Sequence, residues 1–333
     1  MIGLGLTFTL LSGICNGLFT APMKIIPRWK WEHIWLVFIL TACVVLPVAV
    51  TAASIASPGV LWNAAPVGPR TAAIAFGFAW GFGAIFFGMS VDRLGVSLAN
   101  SLVIGLSSAL GSLVPLFAGG AFALEHRHFL LFGGVAVFLA GVAVCGSAGR
   151  MRDRQAPAAA GVPVSGYVFA IVSGLLSAVF NIGYAMAQPV ADAGISLGYS
   201  RFTATNFIWL LMLLSGSIPN IAFCGYLILR NGSARLFCDG PAHRTYGLSI
   251  LMGVLWGGSI FFYGAATPLL GSIGPSIGWP LSLAVGLIVA NFMGFLLGEW
   301  RAAGAPPARR MRTGILVLLL AIVLCALAAR TGS

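Results

Sequence analysis

The stretch WGFGAIFFGMSVDRLG, residues Trp80–Gly95, decides the fold because a similar stretch recurs later in the chain. Residues Trp256–Gly271 read WGGSIFFYGAATPLLG and align with it, without a gap, at an offset of 176. The identical pairs are Trp80/Trp256, Gly81/Gly257, Phe86/Phe262, Gly88/Gly264, Leu94/Leu270 and Gly95/Gly271. Internal similarity of this kind indicates that the chain contains a duplicated unit.

The composition is that of a membrane protein. Of 333 residues, 59% are apolar and 8% charged, whereas soluble domains have about 25% charged residues. The apolar residues form blocks near the length at which a helix crosses about 30 Å of hydrocarbon. Because the blocks are continuous and not alternating, they predict helices, not barrel strands. Ten spans are predicted, at 3–22, 34–53, 71–90, 94–118, 129–148, 165–187, 203–229, 247–267, 275–297 and 313–330.

The basic residues are distributed unevenly between the two sides. Loops after odd-numbered spans hold fourteen of the eighteen Lys and Arg, and the other side holds only Arg70, Arg127, Arg201 and Arg330. The positive-inside rule therefore predicts that the first set is cytoplasmic and that both termini lie outside. The net charge of +11 thus reflects topology and contact with anionic lipid, not nucleic-acid binding. We expect a multi-pass protein of the plasma (inner) membrane.

A second repeated segment extends the duplication. Residues Leu10–Phe19 (LLSGICNGLF) and Ile171–Phe180 (IVSGLLSAVF) align at an offset of 161 and share a Ser, a Gly and a Phe. The pattern predicts two five-helix units, 1–148 and 165–333, joined by a cytoplasmic linker at 149–164. Because five is odd, the second unit enters the membrane from the opposite face. Inverted repeats are typical of secondary transporters, whose site lies near the bilayer midplane.

The predicted spans contain neutral polar groups, and none has Asp, Glu, Lys or Arg at its centre. Amide and hydroxyl groups suit a hydroxyl-bearing ligand. Two tryptophans lie near mid-span, away from the interfacial belts, and an indole face can stack on a sugar ring, although packing is an equally open interpretation. The pattern favours a neutral sugar or polyol. The candidate substrate-binding residues are Asn16, Trp80, Asn181, Tyr184, Gln188, Trp256 and Asn291.

Three segments resemble the L-rhamnose–proton symporter family of the drug/metabolite transporter superfamily. They are FTAPMKIIPRWKWE (19–32), WGFGAIFFGMSVDRLGVS (80–97) and GEWRAAG (298–304). The resemblance implies sugar uptake driven by the proton gradient through alternating access, with a sugar and a proton as partners. It points to Lys24, Trp80, Asp92 and Glu299.

The segment GPSIGWP (274–280) keeps Trp279, a further substrate-binding candidate, but has no acid where the rhamnose-type members carry one. Proton coupling needs a group that changes protonation during gating. The candidates are Asp92 and Glu299, at the cytoplasmic ends of spans, and Asp192, on the outer side. Each of these acids also has a simpler interpretation, as an anchor paired with a neighbouring Arg.

Other functions remain open or are disfavoured. A uniporter or a carrier for another neutral metabolite is the alternative within transport, and a non-transport scaffold or sensor is the alternative outside it. A membrane enzyme normally needs acid clusters or His–metal sites, and the sequence shows neither. The lack of a Gly-x-x-x-x-Gly-Lys motif excludes a nucleotide-driven pump. No cofactor, metal site or disulfide is predicted, because the six cysteines lack metal-binding spacing.

Overall fold

The computed structural model describes residues 1–94, 96–118, 125–153, 164–238, 242–271, 273–298, 300 and 303–330, the side chains of residues 92, 96–98, 118, 153 and 242 excepted. Within these ranges the chain forms thirteen α-helices and no strand. They are α1 Ile2–Leu18, α2 Trp31–Ile39, α3 Leu46–Ser54, α4 Pro58–Ala64, α5 Val67–Leu94, α6 Val96–Ala118, α7 His126–Asp153, α8 Val164–Met186, α9 Gln188–Ser196, α10 Arg201–Arg230, α11 Ala242–Ala266, α12 Gly274–Leu296 and α13 Ala305–Arg330.

The ten predicted spans are confirmed: the described ranges contain ten helical segments long and apolar enough to cross a membrane. Several boundaries differ from the predicted ones. α7 continues to Asp153 and α13 begins at Ala305, so both helices extend beyond their apolar blocks into basic sequence. The second span contains α2, a π-helical turn at Leu40–Val45 and α3. The short helices α4 and α9 lie outside the predicted spans.

Prolines account for the main irregularities. Pro47 lacks an N–H group, so the carbonyl of Cys43 loses its helical partner, and the π-helical turn lies immediately before that point. Pro22 begins a 3-10 turn that follows α1. Pro189 stands in the first turn of α9, where a missing N–H costs least. The interruptions of regular α-helix are therefore local effects of proline within spans that are otherwise continuous.

The contacts between helices fall into two matching sets. α1 packs against α11 and α12, and α8 packs against α5 and α6. In the same way α5 packs against α10, and α11 packs against α2. α7 and α13 pack along each other. Exchanging the first five spans with the last five maps each of these contacts between α1, α2, α5, α6, α8, α10, α11 and α12 onto another of the same kind, and maps the α7–α13 contact onto itself.

Glycines allow the close helix pairs. A Cβ atom on Gly77 would lie 2.3 Å from the carbonyl oxygen of Met212, and one on Gly81 would lie 2.4 Å from that of Gly216. On α11, a Cβ atom on Gly253 would lie 2.5 Å from the side chain of Thr41 in the π-helical turn after α2. Side chains larger than hydrogen are thus excluded at these crossings, as is common where membrane helices approach closely.

Candidate substrate site

A cavity of about 900 Å³ lies at one end of the bundle. It is bounded by the carboxyl-terminal ends of α1, α5, α7, α10 and α12 and by the amino-terminal ends of α2, α6 and α13. The charge distribution predicts this end to be cytoplasmic, and we call the space the inner cavity. Its volume is typical of small-molecule sites, which occupy about 300–1,000 Å³.

Amide side chains from three helices line the inner cavity: Asn16 of α1, Asn100 of α6 and Asn291 of α12. Asn291 Nδ2 donates to the carbonyl of Leu287 at 2.8 Å. Each amide has two N–H donors and an acceptor oxygen, so a second N–H and the oxygen of Asn291 are left for a ligand. Among acids with described side chains, none lines this cavity. The polar lining is therefore rich in neutral hydrogen-bonding groups.

Two tryptophans at the start of α2 form an aromatic wall of the inner cavity. The rings of Trp31 and Trp35 are 5.1 Å apart at an interplanar angle of 20°. Trp35 Nε1 donates to Asn220 Oδ1 at 3.0 Å, and Asn220 Nδ2 donates to the carbonyl of Gly81 at 2.9 Å. Asn220 is fully buried. The network fixes the orientation of Trp35 and, by stacking, that of Trp31.

Two basic side chains also border the inner cavity. Lys24 lies in the 3-10 turn after α1, and Arg152 lies near the end of α7. The guanidinium carbon of Arg152 is 5.0 Å from the ring centroid of Trp300, a cation–π distance. Trp300 stacks on Phe295 with centroids 5.0 Å apart. The structure thus places Lys24, to which the family resemblance points, beside the cavity.

The opposite end of the bundle is closed by hydrogen bonds between helices. The hydroxyls of Tyr184 on α8 and Thr267, which follows α11, are 2.5 Å apart. Tyr263 OH donates to Asn181 Oδ1. Asn181 Nδ2 donates to the carbonyls of Gly111 at 2.7 Å and Pro275 at 3.2 Å. We call Asn181, Tyr184, Tyr263 and Thr267 the barrier; all four are buried.

Aromatic rings continue from the barrier toward the centre of the bundle. Tyr184 stacks on Trp209, with centroids 4.4 Å apart and an interplanar angle of 5°. Phe180 contacts both Trp209, at 5.7 Å, and Trp80, at 4.9 Å. Trp80 in turn stacks on Trp256 at 5.2 Å and 14°. The two tryptophans of the repeated stretch therefore lie face to face.

A smaller cavity, of about 530 Å³, lies beyond the barrier, and we call it the outer cavity. Gln188, Asp192, Arg201, Thr267 and Pro275 are among the residues that line it. Asp192 Oδ1 pairs with Arg201 Nη2 at 3.0 Å, and both side chains are exposed. Among the residues that the structure describes, none lines both cavities. The barrier thus separates two spaces that enter the bundle from opposite ends.

The structure divides the predicted site residues that it describes among four places. The inner cavity includes Asn16 and Asn291, and the outer cavity includes Gln188 and Asp192. Asn181 and Tyr184 belong to the barrier, and Trp279 packs beside it with its Nε1 3.1 Å from the carbonyl of Ser107. Trp80 and Trp256 pack against each other between the cavities. Glu299 and the side chain of Asp92 lie outside the described part of the chain.

Sequence reasoning missed several residues that the structure places at these sites. Trp31 and Trp35 were not among the candidates, yet they line the inner cavity. Tyr263 and Thr267 were not singled out as site residues, because their partners come from distant helices. One signal was available: Ile34–Leu36 (IWL) recurs as Ile208–Leu210 at an offset of 174. It relates Trp35 to Trp209, the ring beside the barrier.

A bundle of ten membrane spans, open at one end and closed at the other around polar and aromatic side chains, defines a multi-pass membrane transport protein. Within the described ranges no group of His, Cys, Asp or Glu has the arrangement of a metal site.

The chain belongs to the L-rhamnose-proton symport protein family, whose model matches residues 1–330. It is 25% identical over 335 residues to the L-rhamnose-proton symporter of Escherichia coli (strain K12 / DH10B), with 96% of each chain covered. The L-rhamnose-proton symporter of Cronobacter sakazakii (strain ATCC BAA-894) is also 25% identical, over 336 residues and with the same coverage. A solved crystal structure, 14% identical, superimposes with a TM-score of 0.63 over 99% of both chains and supports the fold alone.

Proposed function

We propose that the chain imports a neutral sugar, L-rhamnose, together with a proton. Family membership and the names of the relatives support this substrate and this coupling. The main structural support is the inner cavity, where amides of three helices line the same space as the Trp31–Trp35 wall. Amides can both donate to and accept from sugar hydroxyls, and an indole face matches the apolar face of a sugar ring. The inner cavity is then the side from which the sugar is released.

The proposed transport mechanism uses two inverted five-helix units, 1–148 and 165–333, with both termini and the linker between the units on the sides that the charges predict. Of the predicted linker 149–164, residues 149–153 belong to α7 and residue 164 begins α8, and residues 154–163 lie outside the described part of the chain. Three features support the units: the matching helix contacts, the equivalent glycine crossings and the face-to-face pair Trp80 and Trp256. Alternating access would close the inner cavity and open the barrier by moving one unit against the other.

The proton-coupling group is proposed to be an acid near one of the cavities. Asp92 and Glu299 are adjacent in sequence to the inner-cavity residues Val91 and Trp300, and Asp192 lines the outer cavity. Glu32, which follows Trp31, is added to this set because its side chain is buried. Glu32 Oε1 accepts from Asn231 Nδ2 at 3.0 Å. Protonation of the Glu32 carboxylate would weaken its hydrogen bond to Asn231. The charge of Glu32 would in this way affect a contact between helices at the inner-cavity end of the bundle.

The test is uptake of labelled L-rhamnose into proteoliposomes, with and without an imposed pH gradient. Symport requires that an inward proton gradient accelerate uptake and that a protonophore abolish the acceleration. Uptake that is indifferent to the gradient would favour the uniporter. Trp31→Ala should reduce uptake at low sugar concentration by roughly tenfold, as loss of an aromatic contact with a ligand does. The matched control is Trp62→Ala, an exposed tryptophan on α4 outside both cavities.

A further inference from the structure

We propose that the barrier is itself a sugar-binding surface, used when the protein opens outward. In this proposal the hydroxyls of Tyr184, Tyr263 and Thr267 and the amide of Asn181, which bind one another in the present conformation, exchange those hydrogen bonds for bonds to the sugar. The inference rests on the proposed function and adds the residues that recognise the sugar from the outside.

The first observation is that the barrier already borders the outer cavity. Thr267 lines that cavity and is the partner of Tyr184 OH. Pro275 also lines it, and its carbonyl accepts from Asn181 Nδ2 at 3.2 Å and from Tyr263 OH at 3.3 Å. A molecule in the outer cavity therefore needs no new path to reach these groups. It needs a separation of α8 from α11 and from Thr267 and Pro275.

The second observation comes from the internal repeat. At the offset of 161, Asn181 and Tyr184 correspond to Thr20 and Met23, and at 176, Tyr263 and Thr267 correspond to Phe87 and Val91. All four of these counterparts, Thr20, Met23, Phe87 and Val91, line the inner cavity. The same four positions thus bound a substrate-sized space in one half and are closed in the other. Exchanging the conformations of the two halves would expose the barrier residues to an equivalent space.

The third observation is the difference in chemistry between the two sets. Three of the four inner positions carry Met, Phe and Val, whereas every barrier position carries a hydrogen-bonding group. Separation of the barrier deprives those groups of their partners, which is unfavourable unless replacements are supplied. Sugar hydroxyls donate and accept and therefore supply them. A site built in this way also discriminates against sugars that lack the matching hydroxyl.

The test compares two proteins with a set of sugars. Initial uptake into right-side-out vesicles is measured for L-rhamnose and each of its monodeoxy analogues, with the wild type and with Tyr263→Phe. For at least one analogue, we expect the ratio of kcat/KM for L-rhamnose to that for the analogue to fall about tenfold in the variant. A substitution that only shifts the balance between inward-open and outward-open conformations changes kcat/KM by the same factor for both sugars. That factor cancels in the ratio.

Thr267→Val is the second variant, and it should lower the ratio for the same analogue or for its neighbour on the ring. Tyr226→Phe, which removes an exposed tyrosine hydroxyl on α10, is the matched control and should change no ratio. The inference is overturned if both barrier variants keep every wild-type ratio while L-rhamnose is transported. If the protein transports another hexose and not L-rhamnose, the proposed substrate is wrong. The barrier inference is then tested by the same kcat/KM ratios, measured with that hexose and its deoxy analogues. If no hexose is taken up, both the proposed function and the barrier inference are overturned.

Discussion

The barrier and the inner cavity use equivalent positions of the two halves in different ways. Tyr263 and Thr267 close one end through hydrogen bonds to α8, whereas their counterparts Phe87 and Val91 stand apart from α1 across the inner cavity. The glycine crossings that support each end are similar. The comparison shows that the helix packing is common to both halves, while the side chains at the helix ends decide how each end closes.

This difference has a mechanical consequence. A barrier built from paired polar groups and stacked rings has specific partners, so a small displacement breaks several bonds at once. The apolar set around the inner cavity has no such partners to lose and can close by contact alone. We therefore expect substitutions in the barrier to affect stability strongly and equivalent substitutions beside the inner cavity to affect it little.

The largest effect is expected from Gly264→Ala. A Cβ atom there would lie 2.2 Å from Trp209 Nε1, and the Trp209 ring is fully buried against Tyr184. Overpacking of a fixed ring should lower the free energy of unfolding by about 3 kcal/mol or more. The equivalent change Gly88→Ala meets only Trp31 Cζ2, at 3.3 Å, beside the inner cavity. Thermal unfolding in detergent should show a clear loss of stability for Gly264→Ala and little loss for Gly88→Ala. Equal losses would contradict the expected difference between the barrier and the inner cavity.

Asn181→Leu tests the hydrogen bonds of the barrier. The change removes the acceptor of Tyr263 OH and the donor to the carbonyls of Gly111 and Pro275. Buried groups left without partners should lower the free energy of unfolding by about 2–3 kcal/mol in total. The counterpart Thr20→Val, beside the inner cavity, should cost less than about 0.5 kcal/mol. Chemical denaturation of both variants in one detergent measures the difference, and a costly Thr20→Val would show that the two ends are equally constrained.

A pair of asparagines on α10 sharpens the comparison further, because both are buried. Asn220 bonds Trp35 and the carbonyl of Gly81 on the inner side. Neither polar atom of Asn206, nearer the barrier end, has a partner among the described residues. Asn220→Leu should cost about 1–2 kcal/mol, less than Asn181→Leu because Trp35, which loses its acceptor, lines the inner cavity and can bond solvent there. Asn206→Leu should be neutral or stabilising in the same unfolding assay; a destabilised protein would indicate that the Asn206 amide is satisfied.

The sequence predicted the spans well because each span is a continuous apolar block, and the bilayer imposes a length that the blocks match. The departures are of two kinds. The π-helical turn before Pro47 and the short helix α9 at Pro189 are local effects that the prolines signalled without fixing their form. The ends of α7 and α13 shifted because a helix can continue into basic sequence beyond the hydrocarbon.

The candidate site was less predictable, since its contacts join residues far apart in the chain. The amides Asn16 and Asn291 were identified because a polar side chain within an apolar span is unusual. The pairing of Tyr184 with Thr267 depends on how α8 meets the segment after α11, which periodicity does not specify. Trp31 precedes the second predicted span in the sequence, and only the packing of α2 against α10 and α11, which sets Trp31 beside Gly88 of α5, places it at the inner cavity.

The smallest effect is expected at the edge of the outer cavity, for Asp192→Asn. The carboxylate pairs with Arg201 at 3.0 Å, but both side chains are exposed to a substantial degree. An exposed ion pair contributes less than about 1 kcal/mol, so the unfolding transition should hardly move. The transport assay measures a different property of the same variant, the coupling of sugar uptake to the proton. If Asp192 carries the coupled proton, acceleration of uptake by a pH gradient is lost while exchange of sugar across the membrane persists; if acceleration persists, Asp192 only pairs with Arg201, and the proton is carried by a different acid.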